Sequence, residues 1–209
     1  LGLRCCGPLL VYAGRIDNEK RADRLLAMFR QLPSALDAGL VLIGDGKLRD
    51  ALREQARGMA VAFPGFLADR AELARALASA DIYVSAMADE TFGISVIEAQ
   101  ACGLPVVGVR SGTMPERIPP ATGTLVDVDD TAAMALAVTS LWSGDHAAMA
   151  RAARQHVEGR FEWDRTFGSL LEHVYAQAIG AAQARLQKGR FGGTALSLLP
   201  GSRIRRAGR

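Results

Sequence analysis

The sequence predicts a doubly wound α/β domain, in which helices cover both faces of a mostly parallel six-stranded sheet. Short apolar runs alternate with longer segments rich in Ala, Leu and Arg, which is the pattern of βαβ units. Several of the apolar runs are followed at once by a loop that contains glycine. A chain of 209 residues can bury one sizeable core, so one such domain is expected.

The apolar runs predict six strands, and the longer segments predict seven helices. The predicted strands lie near residues 9–13, 40–43, 60–63, 81–85, 105–109 and 124–126. The predicted helices lie near residues 19–31, 47–58, 69–79, 93–102, 130–143, 146–158 and 163–179. Ligands of doubly wound sheets bind outside the carboxyl ends of the strands. The glycine-containing loops at those ends are Gly14-Arg15, Gly44-Asp45-Gly46, Gly65-Phe66 and residues 90–93.

The most informative segment contains two glutamates, Glu90 and Glu98, with seven residues between them. The turn Thr91-Phe92-Gly93-Ile94 follows the strand at 81–85 and opens a predicted helix. Free N–H groups at a helix N-terminus favour an anion, so this turn predicts a phosphate site. One carboxylate could then meet a sugar and the other the ribose hydroxyls. A sugar nucleotide carries all of these groups.

The acidic residues of these loops also have simpler interpretations. Glu90 could be a helix N-terminal acid that interacts with the helix dipole, and Glu98 could be an exposed helical glutamate. Asp45 is expected to be a turn residue and a cap for the helix at Lys47, in preference to a ligand contact.

The segment from residue 89 to 107 resembles the Glu-x7-Glu signature of retaining glycosyltransferases of family four, in the C-terminal, donor-binding half of their GT-B fold. Further segments match that half in the same order, and the resemblance covers residues 8 to about 178. It implies a Rossmann-like sheet. The further matching segments are residues 10–16 with Glu19 and Lys20, then 40–46, 63–67, 116–118 and 122–126.

The resemblance implies that two basic residues, Arg15 and Lys20, bind the donor's pyrophosphate. They would lie opposite the N–H groups of Phe92, Gly93 and Ile94. Negative charge develops on the leaving phosphate, and without a metal it must be met by cations and backbone dipoles. The alternative for each basic residue is a solvated surface charge. No metal or other cofactor is expected beyond the nucleotide sugar itself.

The remaining donor contacts are assigned from the same motifs. Glu90 would lie beside the transferred sugar as the catalytic residue, and Glu98 would accept hydrogen bonds from the ribose. Thr91 belongs to the turn that receives the donor. Phe66 would lie near the base, with core packing as its alternative. Gly65 is expected because a ring that approaches the backbone closely needs a missing side chain.

The implied function is transfer of a hexose, with mannose favoured, from a nucleotide-diphosphate sugar to a glycan or lipid-linked acceptor. Residues 19–25, together with 90–93, favour the GDP-mannose branch of the family. Arg21 stands where the family usually has glycine, so the approach of this loop to phosphate is expected to differ. The alternatives are a GT-B nucleotide-sugar epimerase, whose proton-transfer groups cannot be located, and a non-catalytic nucleotide-sugar-binding module.

The ends of the chain are expected to lie outside the donor domain, which is assigned to residues 8–179. Residues 1–7 resemble an interdomain linker, so the chain is interpreted as a fragment that lacks the acceptor domain and is inactive alone. Residues 180–209 predict a basic, disordered tail. Seven of the 25 Lys and Arg residues follow residue 172, but none of the 22 Asp and Glu residues does. This tail could contact anionic lipid.

Other features set bounds on the location and partners of the protein. The basic tail lacks a recognisable fold and interleaved stacking aromatics, so no nucleic-acid partner is expected. No apolar run reaches the length of a membrane-spanning helix, and three cysteines make no disulfide framework. A cytoplasmic enzyme, at the inner face of the membrane, is therefore expected. The helix at 163–179 predicts an apolar face, either for core packing or for contact with the missing domain.

Overall fold

The computed structural model describes residues 3, 5–161, 167–168 and 170–187. The chain divides into two compact units, Leu1–Glu162 and Trp163–Arg209. The sheet and the predicted motif loops belong to the first unit. The assignment of residues 1–7, 8–179 and 180–209 to a linker, a donor domain and a tail stays a prediction.

A six-stranded sheet forms the centre of the first unit and confirms the predicted fold class. Its strands are β1 (Leu9–Ala13), β2 (Gly39–Ile43), β3 (Val61–Gly65), β4 (Ile82–Val84), β5 (Val106–Val109) and β6 (Gly123–Val126). They lie in the order β3-β2-β1-β4-β5-β6, and every neighbouring pair is parallel. The order reverses between β1 and β4, which places the switch point of the sheet, where such folds bind ligands, at the carboxyl ends of these two strands.

Helices follow each of the strands, and all but the fifth lie close to the predicted positions. They are α1 (Ala22–Phe29), α2 (Arg49–Gln55), α3 (Arg70–Ala78), α4 (Ile94–Ala101), α5 (Met114–Arg117), α6 (Thr131–Ser143) and α7 (His146–Val157). A short 3₁₀ turn, Ser34–Leu36, precedes β2. The sequence analysis did not predict α5. Its four residues are too few to show a helical period, although Pro115 near its start is a helix-initiation signal.

The sheet is buried on both faces because the side chains of β1 alternate between two apolar cores. Leu10 and Tyr12 belong to a core that also contains residues of α1 and α6. Val11 and Ala13 belong to the opposite core, with residues of α3 and α4. A continuous apolar run is typical of a central parallel strand. Packing on both faces fixes the position of β1 and therefore of the loop that follows it.

The N-terminus of α4 lacks the side-chain cap that α3, α6 and α7 have. Asp69, Asp130 and Asp145 each accept a hydrogen bond from a backbone N–H in the first turn of α3, α6 and α7. The N-cap of α4 is Gly93, which has no side chain to offer. The N–H groups of this helix therefore depend on acceptors from elsewhere in the structure.

The second unit contains a π-helix, Leu170–Tyr175, followed by α8 (Ala176–Gln187). The helix predicted for 163–179 thus continues beyond its predicted end, while residues 162–166 and 169 lie outside the described residues. The side chains of Phe167, Leu171 and Val174 are exposed. Contact of this apolar face with a missing domain stays a prediction. Across the described part of the chain, no helix combines the length and the apolar character that crossing a membrane requires.

Candidate functional site

A cavity of about 540 Å³ lies at the switch point of the sheet, beside the N-terminus of α4. Nine of the ten residues predicted to form the site line it, although they come from three separate segments of the chain. The nine residues are Arg15, Lys20, Phe66, Glu90, Thr91, Phe92, Gly93, Ile94 and Glu98. Gly65 is the exception.

The loop after β1 is fixed by contacts that the sequence analysis missed. The Tyr12 hydroxyl donates a hydrogen bond to the Arg15 carbonyl oxygen at 2.7 Å. The loop also packs directly on the loop that follows β2. A Cβ atom added to Gly44 would lie 1.9 Å from the Gly14 carbonyl oxygen, so only glycine fits there. An aromatic with a polar tip at the end of a central strand is the signal that could have identified Tyr12.

Arg15 lines the cavity but is already balanced by acids of its own loop. Its Nη1 atom lies 2.7 Å from Asp17 Oδ2, and its Nη2 atom lies 2.7 Å from Glu19 Oε2. The Arg15 side chain is 58% exposed. A phosphate would therefore compete with two carboxylates for this guanidinium, which remains accessible from solvent.

Lys20 is held inside the cavity by Glu90. The ammonium Nζ atom lies 2.9 Å from Glu90 Oε2 and 2.8 Å from Met87 Sδ. The Lys20 side chain is only 22% exposed, so the interpretation of a solvated surface charge is wrong for this residue. An ammonium has three N–H donors, and these two contacts leave one for a further acceptor.

Glu90 joins Lys20 to the N-terminus of α4. Its Oε1 atom accepts a hydrogen bond from the Gly93 N–H at 3.1 Å, so the alternative of a helix N-terminal acid describes its position in this structure. Burial favours the neutral carboxyl, but hydrogen bonds from Lys20 and the Gly93 N–H outweigh it and lower the pKa of Glu90. Glu90 is therefore an anion seated at the predicted phosphate site.

The segment that contains α5 supports the turn from outside the cavity. The Thr113 N–H donates to the Glu90 carbonyl oxygen at 3.1 Å, and the Arg117 Nε–H donates to the Phe92 carbonyl oxygen at 2.9 Å. Gly93 has a φ of 76°, and a Cβ atom there would lie 2.8 Å from Met114 Cε. Glycine is thus required both by the backbone conformation and by this packing.

Glu98 lies further along α4 and lines the same cavity. Ile94 and Glu98 are four residues apart on a helix, so their side chains share one face, which is the face toward the cavity. Glu98 is half-buried rather than exposed. None of the ion pairs within the described ranges involves it. Its carboxylate is available for hydroxyl donors.

Phe66 and Gly65 at the end of β3 occupy different positions relative to the cavity. The Phe66 side chain lines the cavity and is 74% exposed, so the alternative of core packing is wrong. Gly65 does not line the cavity, and a Cβ atom there would meet no atom within 4 Å. Its φ of 87° explains the glycine by backbone conformation. The expected close approach to a base stays a prediction.

Asp45 and Arg21 show how the neighbouring loops are built. Asp45 accepts a hydrogen bond from the Gly46 N–H at 2.7 Å and lines the cavity, and α2 begins only at Arg49, so the expected cap at Lys47 is wrong. Arg21 has a φ of 54° in the left-handed region, which explains why glycine is usual there. Its Nη1 atom lies 2.8 Å from Asp129 Oδ1.

The buried tyrosines near the cavity are neutral hydrogen-bonding groups. The Tyr83 hydroxyl donates to the Ala13 carbonyl oxygen at 3.0 Å, and burial raises the pKa of Tyr83 to about 12. Burial also raises the pKa of Tyr12. Neither hydroxyl is therefore suited to proton abstraction near neutral pH, as an epimerase would require. Within the ranges described, no group of three His, Cys, Asp or Glu residues is placed to hold a metal ion.

The fold and the cavity at its switch point define a Rossmann-like α/β domain. Residues 7–144, more than half of the chain, match the family described as glycosyl transferases group 1. The chain belongs to this family.

Curated relatives agree with this assignment. The GDP-mannose-dependent alpha-(1-6)-phosphatidylinositol dimannoside mannosyltransferase of Mycobacterium tuberculosis is 38% identical over 172 residues, covering 82% of this chain and 45% of that protein. Sulfoquinovosyl transferase SQD2 of Arabidopsis thaliana is 32% identical, covering 82% of this chain and 34% of that protein. The chain thus spans less than half the length of these relatives. Both are transferases by name, which gives the epimerase alternative no support.

A solved structure has the same fold. Sucrose-phosphate synthase from Thermosynechococcus elongatus superposes with a TM-score of 0.72 at 28% identity, covering 86% of this chain and 47% of that one. The predicted Rossmann-like half of a GT-B fold is thereby confirmed.

Proposed function

We propose that this chain is the donor-binding half of a retaining glycosyltransferase that transfers mannose from GDP-mannose to a glycan or lipid-linked acceptor. One observation carries the proposal: Lys20, the N-terminus of α4 and the two glutamates converge on one cavity. A sugar nucleotide needs cations and N–H donors for its phosphates, and acceptors for its hydroxyls. This cavity supplies both kinds of group.

The diphosphate binds beside Lys20 and the first turn of α4. The third N–H of the Lys20 ammonium and the free N–H groups of the helix meet its charge, assisted by the exposed guanidinium of Arg15. These fixed dipoles and cations stabilise the leaving phosphate during transfer. We therefore expect donor binding to need no metal ion.

The two carboxylates divide the remaining contacts. Glu98 accepts hydrogen bonds from the ribose hydroxyls, and Glu90 holds the hydroxyls of the transferred sugar while stabilising positive character at its ring. Phe66 offers an apolar face to the base. The leaving phosphate helps to deprotonate the acceptor on the same face of the sugar, so this half supplies no separate base.

The choice of donor and acceptor is supported by the relatives. The mannosyltransferase that is 38% identical is GDP-mannose-dependent and named for a phosphatidylinositol-linked acceptor. We extend that donor and a lipid-linked acceptor to the protein that contains this chain. The acceptor would be held by a domain outside these residues.

Calorimetric titration of residues 1–209 with GDP, UDP and ADP tests the donor assignment. We expect GDP to bind most tightly, and its affinity to stay unchanged when EDTA is added. Loss of binding in EDTA would overturn the metal-free proposal. Preference for UDP would overturn the GDP-mannose assignment, and failure of all three nucleotides to bind would overturn the proposed function.

Transfer is tested in the longer protein that contains both domains. The acceptor must be held within reacting distance of the donor, so residues 1–209 alone should bind donor without transferring sugar. Sugar transfer by the two-domain protein would distinguish an enzyme from a non-catalytic binding module. Robust turnover by residues 1–209 would contradict the division of labour proposed here.

The basic segment after residue 172 is proposed to contact anionic lipid. Its seven Lys and Arg residues are accompanied by no acid, and such segments are attracted to anionic membranes. Co-sedimentation with vesicles containing phosphatidylserine tests this, with neutral phosphatidylcholine vesicles and residues 1–179 as controls. Equal binding to both vesicle types would contradict it.

A further inference from the structure

Arg117 contacts the loop of residues 90–94, which opens α4, although it does not line the cavity. Its Nε–H donates to the Phe92 carbonyl oxygen at 2.9 Å, and its guanidinium lies 4.9 Å from the centroid of the Phe92 ring. The same guanidinium lies 5.1 Å from the centroid of the Phe161 ring. The Arg117 side chain is only 14% exposed. It is therefore a charged group held behind the loop, away from bulk water.

The peptide unit between Phe92 and Gly93 is hydrogen-bonded at both of its ends. Its carbonyl accepts from Arg117, while its N–H donates to Glu90 Oε1 at 3.1 Å. A charged donor at the carbonyl polarises the peptide and strengthens its N–H as a donor. Since Glu90 also binds Lys20, a chain of hydrogen bonds links the buried guanidinium to the cation in the cavity.

The segment containing α5 also fixes the loop at a second point. The Thr113 N–H donates to the Glu90 carbonyl oxygen, and Gly112 packs so closely that a Cβ atom there would lie 2.5 Å from that oxygen. The loop is thus held at Glu90 by backbone and at Phe92 by the Arg117 side chain. These contacts determine which way the Gly93 N–H points.

We propose that Arg117 is a positioning residue for phosphate binding, which orients the Phe92–Gly93 peptide and strengthens the Gly93 N–H as an anion donor. This inference rests on the proposed function. In this structure the Glu90 carboxylate takes that N–H, and an incoming phosphate competes for it. Arg117 thereby acts on the donor through a peptide, without touching the donor itself.

A purely structural role would have different consequences. Arg117 lies between two aromatic rings, and cation–π contacts of this kind can stabilise a fold. Loss of such packing would weaken every ligand of the cavity by a similar factor. Loss of the polarised peptide would weaken phosphate-bearing ligands selectively.

The test compares GDP with guanosine in NMR titrations of residues 1–209. Arg117→Gln should weaken GDP by about tenfold and leave guanosine unchanged within twofold, because only GDP carries phosphate. Arg117→Lys keeps a cation near the Phe92 carbonyl, so it should restore most of the GDP affinity. Arg154→Gln, which removes an arginine paired with Glu158 at 2.8 Å, is the matched control and should change neither ligand.

The outcomes distinguish failure of the positioning role of Arg117 from failure of the proposed donor-binding function. Unchanged GDP affinity in a folded Arg117→Gln variant would overturn the positioning role alone, as would equal weakening of GDP and guanosine. If the wild-type chain binds none of GDP, UDP and ADP, the proposed function falls and the inference with it. Should Arg117→Gln fail to fold, the wild-type Gly93 amide resonance decides, because it must shift with GDP but not with guanosine.

Discussion

Lys20 Nζ lies 2.9 Å from Glu90 Oε2, although 70 positions separate the two residues in the chain. The pair joins the loop after β1 to the turn before α4 across the switch point of the sheet. Glu90 orients the ammonium while one of its N–H donors remains available. The pair therefore couples the proposed phosphate site to the proposed sugar site.

The two basic residues of the β1 loop are expected to differ in importance. Lys20→Ala should weaken GDP binding by about 1.5–3 kcal/mol, because it removes a charge-assisted contact. Arg15→Ala should cost less, since Asp17 and Glu19 already balance the exposed Arg15 guanidinium. Calorimetry measures both, with Arg57→Ala as a surface control, since its side chain is 78% exposed. Unchanged GDP affinity in both variants would show that neither residue binds the phosphates.

The pairing of Glu90 predicts a defined pH dependence of stability. Burial favours the neutral form, but hydrogen bonds from Lys20 and Gly93 keep the folded-state pKa of Glu90 below its ordinary value of 4.5. The ionised pair should thus stabilise the fold above pH 4.5, and this contribution should disappear as the pH falls through the lower folded-state pKa. Urea unfolding of wild type and Glu90→Gln at a series of pH values tests this. Parallel curves throughout would contradict it.

Gly112 offers a test of how the loop is supported. A Cβ atom there would lie 2.5 Å from the Glu90 carbonyl oxygen, so Gly112→Ala should displace the loop and weaken GDP binding. Gly58→Ala is the control, because Gly58 also has a positive φ but a Cβ atom there meets nothing within 4 Å. Each variant should lose about 1–2 kcal/mol of unfolding free energy through backbone strain. Equal GDP affinities in the two variants would show that the contact is unimportant.

Tyr83 supports the end of β1 through its hydroxyl. The hydroxyl donates to the Ala13 carbonyl oxygen at 3.0 Å in the buried core beneath the cavity. Tyr83→Phe should therefore lower the unfolding free energy by about 1–2 kcal/mol, measured by urea denaturation at neutral pH. The loss should be constant from pH 6 to pH 9, because burial keeps the hydroxyl protonated with a pKa of about 12. A loss that changes across this range would contradict the assignment.

Much of the fold was predictable because short apolar runs alternate with longer segments rich in Ala, Leu and Arg. The central strand β1 is apolar throughout, as expected for a strand buried on both faces, and the glycines that follow the strands mark the loops of the site. The residues that line the cavity were also predictable. The loops that follow parallel strands all lie at the same edge of the sheet, so the motif loops had to come together there.

The ion pairs and supports within the site could not be predicted from pattern alone. Nothing in the local sequence places Lys20 on Glu90, since that contact depends on how β1 and β4 pair. Arg117 belongs to a four-residue helix that shows no period. The interpretation of Phe66 as core packing was open because an aromatic residue after a strand fits either environment, and only its exposed position decides.

The central claim is that the two carboxylates face different parts of one donor. It is tested most directly by calorimetric titration of GDP into the variants Glu98→Ala and Glu90→Ala, after circular dichroism and melting have shown both to be folded. Glu98→Ala should weaken GDP, because the ribose loses its acceptor. Glu90→Ala should not weaken GDP, because it removes the carboxylate that competes with phosphate for Lys20 and the Gly93 N–H, but it should lower sugar transfer by the two-domain protein. If Glu90→Ala weakens GDP as much as Glu98→Ala does, the sugar-facing role of Glu90 is contradicted.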